Sequence, residues 1–163
     1  MISEQPWRDA ISIPASTASV DLQVGGFPSL NFADLVIDGS DNTKVTSTGY
    51  TFVATDVGKL LIVTGGTGFT VGVYYIASVA AGAATLSGAV GTVASTGGTG
   101  RFATDCRSLY IGGAGNVVLS TVARPTAYQT FTAVPVGILP VRPAVVRKAS
   151  NGTAATTILG LFG

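Results

Sequence analysis

The sequence predicts an all-β protein: two small antiparallel β-sandwich or β-barrel units preceded by an extended N-terminal arm. Short runs rich in Val, Thr, Ile, Tyr and Phe alternate with Gly, Asn, Asp and Pro, which is the pattern of strands and turns. No window carries apolar residues at the helical spacing i, i+3, i+4 and i+7 with helix formers between them. Many short strands in a chain of 163 residues are typical of sandwiches and small barrels.

Residues 1–30 are predicted to form the arm. The segment contains Pro14, Pro28 and several Ser and Thr, and it has too few apolar residues to build a core alone. Trp7, the only tryptophan of the chain, lies within it. The sequence leaves two roles open for this arm, docking on a neighbouring chain or packing on its own domain.

Residues 31–103 are predicted as the first β domain and residues 104–163 as the second. The first closes in the glycine-rich stretch "GTVASTGGTGRFA", and the second ends in the apolar stretch "TTILGLF". That tail is too apolar to be left in water, so we expect it to pair into a sheet. The predicted strands lie near residues 34–37, 50–54, 59–64, 72–79, 83–87, 108–112, 116–122, 128–134, 143–149 and 154–162.

The glycine-rich stretch "GKLLIVTGGTGFTVGVYYIASV", residues 58–79, raises the question of a phosphate-binding loop. Such a loop needs Gly-Lys-Ser/Thr, because the lysine contacts the phosphates and the hydroxyl holds magnesium. Here Gly58-Lys59 is followed by Leu60, and no lysine follows the cluster 65–68. The sequence after the cluster is typical of a strand, whereas a dinucleotide fingerprint opens a helix. We therefore predict a turn followed by a strand.

A second glycine cluster, residues 112–116, lies between two apolar runs. Glycines between two strand-like segments predict a β-hairpin, since they adopt the positive φ angles that tight turns require.

The missing residue types exclude several kinds of site. The chain has no histidine, which removes the commonest general base and metal ligand. Its one cysteine, Cys106, cannot form an intrachain disulfide or a cysteine-based metal cluster. No base is available to activate Cys106, so we predict an inert thiol, and we expect no catalytic residue, metal or cofactor.

The carboxylates offer two weaker alternatives. Asp34, Asp38, Asp41 and Asp56 could cluster for glycoside hydrolysis, and "DGSDN" at residues 38–42 could bind calcium. The calcium loop lacks the EF-hand spacing and its closing glutamate. Turn chemistry explains Asp, Gly, Ser and Asn more simply.

The charges are few and unevenly distributed. Charged residues make up 10% of the chain, against roughly 25% in an average soluble domain. Residues 1–100 carry seven acidic and three basic side chains, whereas residues 101–163 carry six basic and one acidic. This asymmetry fits two units with different faces, head-to-tail contact between copies, or chance. Because so few charges cannot cover a surface, we expect much of it to face another chain.

Partners other than proteins are not favoured. Arg142, Arg147 and Lys148 form a basic set without interleaved aromatic residues, which is a weak pattern for nucleic acid. No apolar run reaches the ~18 residues of a membrane span, and the N-terminus does not have the pattern of a signal peptide.

The C-terminal part, about 60 residues, resembles the head-spike base proteins of gene transfer agents and related phage head proteins. The resemblance lies in the apolar start at 109–112, the glycine cluster, an aromatic strand at Phe131, the "VPVGILPV" segment at 134–141, and "GTAAT" at 152–156 before the last apolar strand. Residues 52–100 resemble, more loosely, a β module of phage structural proteins.

The resemblance implies a structural protein of a tailed-phage virion, made in the bacterial cytoplasm and mounted outside the capsid as a cement, decoration or spike-base protein. Its expected partners are the major capsid protein, a spike or fibre protein, and copies of itself, with a trimer at local threefold axes favoured. The candidate contact residues are Trp7, Ile11, Ile13, Phe27, Arg142, Arg147, Ile158, Leu161 and Phe162. The alternative is a tail or baseplate module that binds a host glycan through Tyr74, Tyr75, Tyr110 or Tyr128.

Overall fold

The all-β prediction is confirmed by a computed structural model of the chain, which describes residues 9–162. The described chain divides into two compact units. Residues 28–103 form the barrel unit, and residues 9–27 together with 104–162 form the two-sheet unit. The barrel unit is therefore continuous in sequence, whereas the two-sheet unit is built from two separate segments.

The barrel unit is a closed antiparallel barrel of six strands. The strands pair in the order β3-β4-β7-β6-β5-β8, and closure leaves no free edge. Leu35, Leu60, Leu61 and Ile76 are among its fully buried side chains. The strands are β3 (Asn31–Ile37), β4 (Lys44–Ser47), β5 (Leu60–Gly65), β6 (Gly72–Ala80), β7 (Ala83–Leu86) and β8 (Gly98–Phe102).

An aromatic cluster fills one part of this barrel unit. Phe32, Tyr50, Phe52 and Phe102 contact one another with ring centroids 5.1 to 6.5 Å apart, mostly edge to face. This is the geometry that aromatic rings prefer, and it adds to the stabilisation that burial provides.

The two-sheet unit contains two four-stranded antiparallel sheets, ordered β1-β14-β9-β12 and β11-β10-β13-β2. Leu109, Ile111, Val117 and Leu119 are buried on the central strands β9 and β10. The strands are β1 (Asp9–Ile13), β2 (Leu22–Gln23), β9 (Cys106–Gly113), β10 (Gly115–Thr121), β11 (Arg124–Val134), β12 (Gly137–Leu139), β13 (Pro143–Val146) and β14 (Thr156–Phe162).

Residues 9–27, the described part of the predicted arm, do not extend away from the rest of the chain. Residues 9–13 pair with residues 158–162 of β14, and residues 22–23 pair with β13. Ile11 and Ile13 alternate with exposed residues and are buried, so β1 completes a sheet of its own chain. Of the two roles left open by the sequence, packing on the chain's own domain is the one that residues 9–27 adopt.

The prediction of a strand at residues 50–54 is wrong. The carboxylate of Asp56 accepts a hydrogen bond from the backbone N–H of Val53 at 2.9 Å. The chain therefore turns into a short 3₁₀ helix at Ala54–Asp56 in place of extending. The strand of this region lies earlier, at β4, which is not among the predicted strands.

The hairpin predicted at residues 112–116 is also wrong. The strands on either side of it do not pair, because β9 lies in one sheet and β10 in the other. A side chain at Gly115 would lie less than 3 Å from the backbone of residues 154 and 155. The glycines here allow the chain to change sheets where another segment passes close by.

The glycine cluster at residues 65–68 forms the turn that was predicted, and a strand follows it. It ends β5 and opens the loop to the antiparallel strand β6. Gly66 and Gly68 have φ angles of 124° and 81°, which favour glycine.

Candidate functional site

The longest strand of the protein, β11, lies at the edge of its sheet. It pairs with β10 on one side and has no neighbouring strand on the other within residues 9–162. Nine of its eleven residues are exposed. A strand in this position presents unpaired backbone N–H and C=O groups along its free side, which is a template for pairing with another chain.

The inner side of β11 pairs regularly with β10 in the middle of the strand. Gln129, Thr130 and Phe131 face Leu119, Val118 and Val117 in regular register. The register shifts toward both ends of β11. From Gln129 to Arg124 the strand β11 advances five residues while β10 advances two. Near the C-terminal end Ala133 has a φ of 48° and its N–H donates to Asn116 Oδ1 at 2.9 Å. The side-chain oxygen of Asn116 thus satisfies the backbone N–H of Ala133 where the register shifts near the C-terminal end of β11.

Beyond Arg124 this edge carries no charge. From Pro125 to Val141 the chain has no Asp, Glu, Lys or Arg. Natural edge strands are commonly protected by charged side chains that disfavour pairing. Arg124 and Pro125 are protective residues at the beginning of β11, and they affect only that end. We call residues 125–139 the uncharged edge.

Apolar side chains are exposed on and beside the uncharged edge. Tyr128, Val136 and Ile138 belong to it, and Tyr110 faces Ile138 in the register of β9 and β12. These four are the exposed large hydrophobic residues of the described two-sheet unit. Tyr110 and Ile138 adjoin each other on one sheet and Tyr128 is exposed on the other, and exposed apolar side chains of this kind mark candidate interaction surfaces.

The predicted contact residue Arg147 helps to hold this surface in place. Its guanidinium lies 4.4 Å from the centre of the Tyr128 ring, and its Nε donates to Asp21 Oδ2 at 3.2 Å. Asp21 also accepts hydrogen bonds from the Lys148 N–H at 2.9 Å and from Asn151 Nδ2 at 2.8 Å. Burial raises the pKa of Asp21, but these hydrogen bonds and the charge of Arg147 outweigh it, so the pKa is lowered overall.

Most of the other predicted contact residues lie inside the two-sheet unit. Phe27 is half-buried, and Arg142 is exposed and forms an ion pair with Asp105. Trp7 lies outside the described residues. The remaining five are buried in the core of their own chain, which accounts for their apolar character without a partner: Ile11, Ile13, Ile158, Leu161 and Phe162.

The four tyrosines predicted for the glycan alternative are not brought to one place. Tyr74 and Tyr75 are consecutive residues of β6 in the barrel unit, so their side chains point to opposite faces. Tyr110 and Tyr128 lie in the two-sheet unit, on different sheets.

A group of buried polar residues lies beside the aromatic cluster of the barrel unit. The Asp56 carboxylate is fully buried and accepts hydrogen bonds from Lys59 Nζ at 2.7 Å and from the Tyr50 hydroxyl at 3.0 Å, in addition to the one from Val53. Burial and the neighbouring carboxylate raise the pKa of Tyr50 to about 12, so it remains a donor. The Lys59 ammonium, the Tyr50 hydroxyl and the Val53 N–H all bind the Asp56 carboxylate. Such mutual hydrogen bonding is typical of a group that stabilises the fold.

A small pocket of about 160 Å³ opens beside these residues. It combines an ammonium group and a phenol with apolar walls, and both polar groups already bind Asp56. The pocket is lined by Pro28, Ser29, Leu30, Tyr50, Lys59 and Phe102.

The aspartates predicted as a possible calcium or glycosidase cluster each accept hydrogen bonds from groups of the barrel unit. Asp38 accepts from the N–H and hydroxyl of Ser40, both at 2.8 Å, and Asp41 accepts from the N–H of Thr43 at 2.9 Å. Asp34 binds Ser47, Thr48 and Gly49. Within residues 9–162 no three acidic, cysteine or histidine side chains are grouped to hold a metal ion.

Cys106 is buried at the start of β9. Burial raises the pKa of its thiol to about 12, and the thiol donates to the carbonyl of Ser108 at 3.3 Å. A thiol in this environment stays protonated at neutral pH and is a poor nucleophile.

Comparison with known proteins gives no relative: no protein-family model, curated protein or solved structure matches this chain. No helix among the described residues has the length and apolar character needed to cross a membrane.

Proposed function

We propose that the protein is a non-enzymatic structural protein of a tailed-phage virion, bound to the outside of the capsid as a cement, decoration or spike-base protein. The observation that carries this proposal is the uncharged edge, which covers ten residues of β11 and includes the exposed apolar residues Tyr128, Val136 and Ile138. A surface of this kind favours pairing with, or burial against, a neighbouring subunit.

The virion setting comes from the resemblance of the C-terminal part to phage head-spike base proteins. The low charge of the whole chain supports a subunit that buries much of its surface in an assembly. Two observations support a structural role rather than a catalytic one. The side chains of Lys59 and Tyr50 are hydrogen-bonded to Asp56, and the thiol of Cys106 stays protonated.

The experiment is to measure the copy number of this chain in purified particles, relative to the major capsid protein. A ratio near one supports a cement that covers the shell. A ratio of a few per cent supports a spike base at the vertices or a component of the tail. Absence from the particles would overturn the proposal.

The alternative function is a tail or baseplate module that binds a host glycan. The exposed rings of Tyr110 and Tyr128 are the observation that favours it, because sugars stack on exposed aromatic rings. Binding to host-surface glycans that is lost in Tyr110→Ala or Tyr128→Ala, but retained in Tyr74→Ala, would support this alternative over the first.

A further inference from the structure

We propose that β11 pairs antiparallel with β11 of a second copy of this chain, so that two four-stranded sheets become one continuous sheet across a two-fold axis. The inference rests on the assembly role proposed above, and it names the partner of the uncharged edge. Antiparallel pairing of identical strands is self-complementary, as a two-fold interface requires. It satisfies the free backbone groups of both strands at once.

The length of the edge points to a second β11 as the partner. At about 3.4 Å per residue, β11 extends over about 37 Å. The other edge strands of the described sheets are β1, β12 and β2, with five, three and two residues. The barrel unit offers no edge, because it is closed. Among the described strands, only another β11 can cover this edge along its length.

The charges are compatible with this pairing. Overlap of the whole strand from Arg124 to Val134 places Gln129 on the two-fold axis, within the stretch that pairs regularly with β10. Each Arg124 then lies opposite Val134 of the second copy, and the two arginines are at opposite ends of the ribbon. Every other residue of β11 is uncharged, so no like charges face each other.

The side chains are also compatible in size and chemistry. In this register Thr126 faces Thr132 of the second copy, and Tyr128 faces Thr130. Phe131 faces Ala127, which places a large ring opposite a small residue. Thr–Thr pairs and pairs of aromatic with β-branched residues are favourable cross-strand neighbours.

The first test uses a charge on the axis. In Gln129→Lys two lysines lie directly opposite each other, and the variant still folds because Gln129 is exposed. Thr46→Lys is the matched control, since Thr46 is exposed on β4 of the closed barrel. Light scattering after gel filtration, over a range of protein concentrations, measures the mass. We expect wild type and Thr46→Lys to have twice the mass of one chain, and Gln129→Lys to dissociate at a concentration about tenfold higher.

The second test uses a cysteine on the axis. Directly opposite Cα atoms of an antiparallel pair lie ~4.5–5.5 Å apart, within the range of a disulfide. Gln129→Cys is expected to form a covalent dimer under mild oxidation, whereas Thr46→Cys is not. Cys106 does not interfere, because it is buried.

Three outcomes would overturn the pairing: a wild-type protein that stays monomeric at high concentration, a trimer, or a dimer that responds equally to the substitutions at positions 129 and 46. Each leaves the virion proposal standing, since that is decided by the copy number in particles. Conversely, absence from particles would leave a dimer measured in solution unaffected.

Discussion

Lys59 Nζ lies 2.7 Å from Asp56 Oδ1, and the Asp56 side chain is completely shielded from solvent while that of Lys59 is 12% exposed. The same spacing of three residues recurs at Asp41 and Lys44, where Nζ and Oδ2 are 3.5 Å apart and both side chains are exposed to water. The chain thus contains a buried and an exposed version of the same ion pair.

The two pairs are expected to differ in their contribution to stability. Lys59→Met leaves an uncompensated buried carboxylate and should lower the free energy of unfolding by about 3–5 kcal/mol. Lys44→Met removes an exposed pair and should cost less than ~1 kcal/mol. Asp56→Asn/Lys59→Met should recover part of the loss of Lys59→Met. Urea titration of the four proteins measures these values, and equal losses for Lys59→Met and Lys44→Met would contradict the role of burial.

Gly98 is expected to tolerate no side chain. A Cβ there would lie less than 3 Å from three ring carbons of Phe69. Gly98→Ala should therefore destabilise the barrel unit by about 1–3 kcal/mol through overpacking. Gly88 has no atom within 4 Å of its hypothetical Cβ, so Gly88→Ala is the control and should be nearly neutral. Thermal denaturation of both variants compares them, and an unchanged melting temperature in Gly98→Ala would refute the close packing.

Asp34 is expected to make stability depend on pH in the acid range. Hydrogen bonds from Ser47, Thr48 and Gly49 lower its pKa from the ordinary 3.8 to about 2. A carboxylate whose pKa is lower in the folded state stabilises the fold above pH 4, and this contribution is lost between about pH 4 and pH 2.

Asp34→Asn is therefore expected to be less stable than wild type at pH 7, with a difference that shrinks as the pH approaches 2. Urea midpoints of both proteins at pH 7, 4, 3 and 2 measure it. A difference that stays constant over this range would show that the charged state of Asp34 does not matter.

Cys106 is expected to be unreactive in the folded protein. Burial raises the pKa of its thiol to about 12, so the thiolate is not formed at neutral pH. Burial also keeps reagents in solution from reaching the sulfur. A chromogenic disulfide reagent at pH 8 should release less than one equivalent over an hour from the native protein and one equivalent at once in denaturant. Rapid reaction of the native protein would mean that β9 opens readily.

Local sequence patterns predict the strands whose residues are themselves typical of strands. The runs that became β5, β6, β10 and β14 are rich in Val, Ile, Leu, Tyr and Thr, and their bounds agree within a few residues with the structure. The barrel unit at residues 28–103 also lies close to the domain predicted at 31–103.

The elements that were missed depend on neighbours that are distant in sequence. β8, "GTGRF", resembles a loop because of its glycines, but a side chain at Gly100 would clash with the carbonyl of Ile62 on the adjacent strand. β1 resembles an arm because its partner, β14, lies at the other end of the chain. The absence of charge over residues 125–141 was visible in the sequence, but its meaning depends on β11 being an edge.

The pairing of β1 with β14 also sets an order of events during synthesis. Asp9 is the register partner of Phe162, so the first sheet of the two-sheet unit cannot be completed until residue 162 has left the ribosome. Residues 28–103 have all of their barrel partners within one continuous segment, so they can fold while the later strands are still being made. Contacts of such long sequence separation form slowly. The barrel can therefore be finished while β1 and β2 still wait for their partners, and β14 completes the sheet that contains β1.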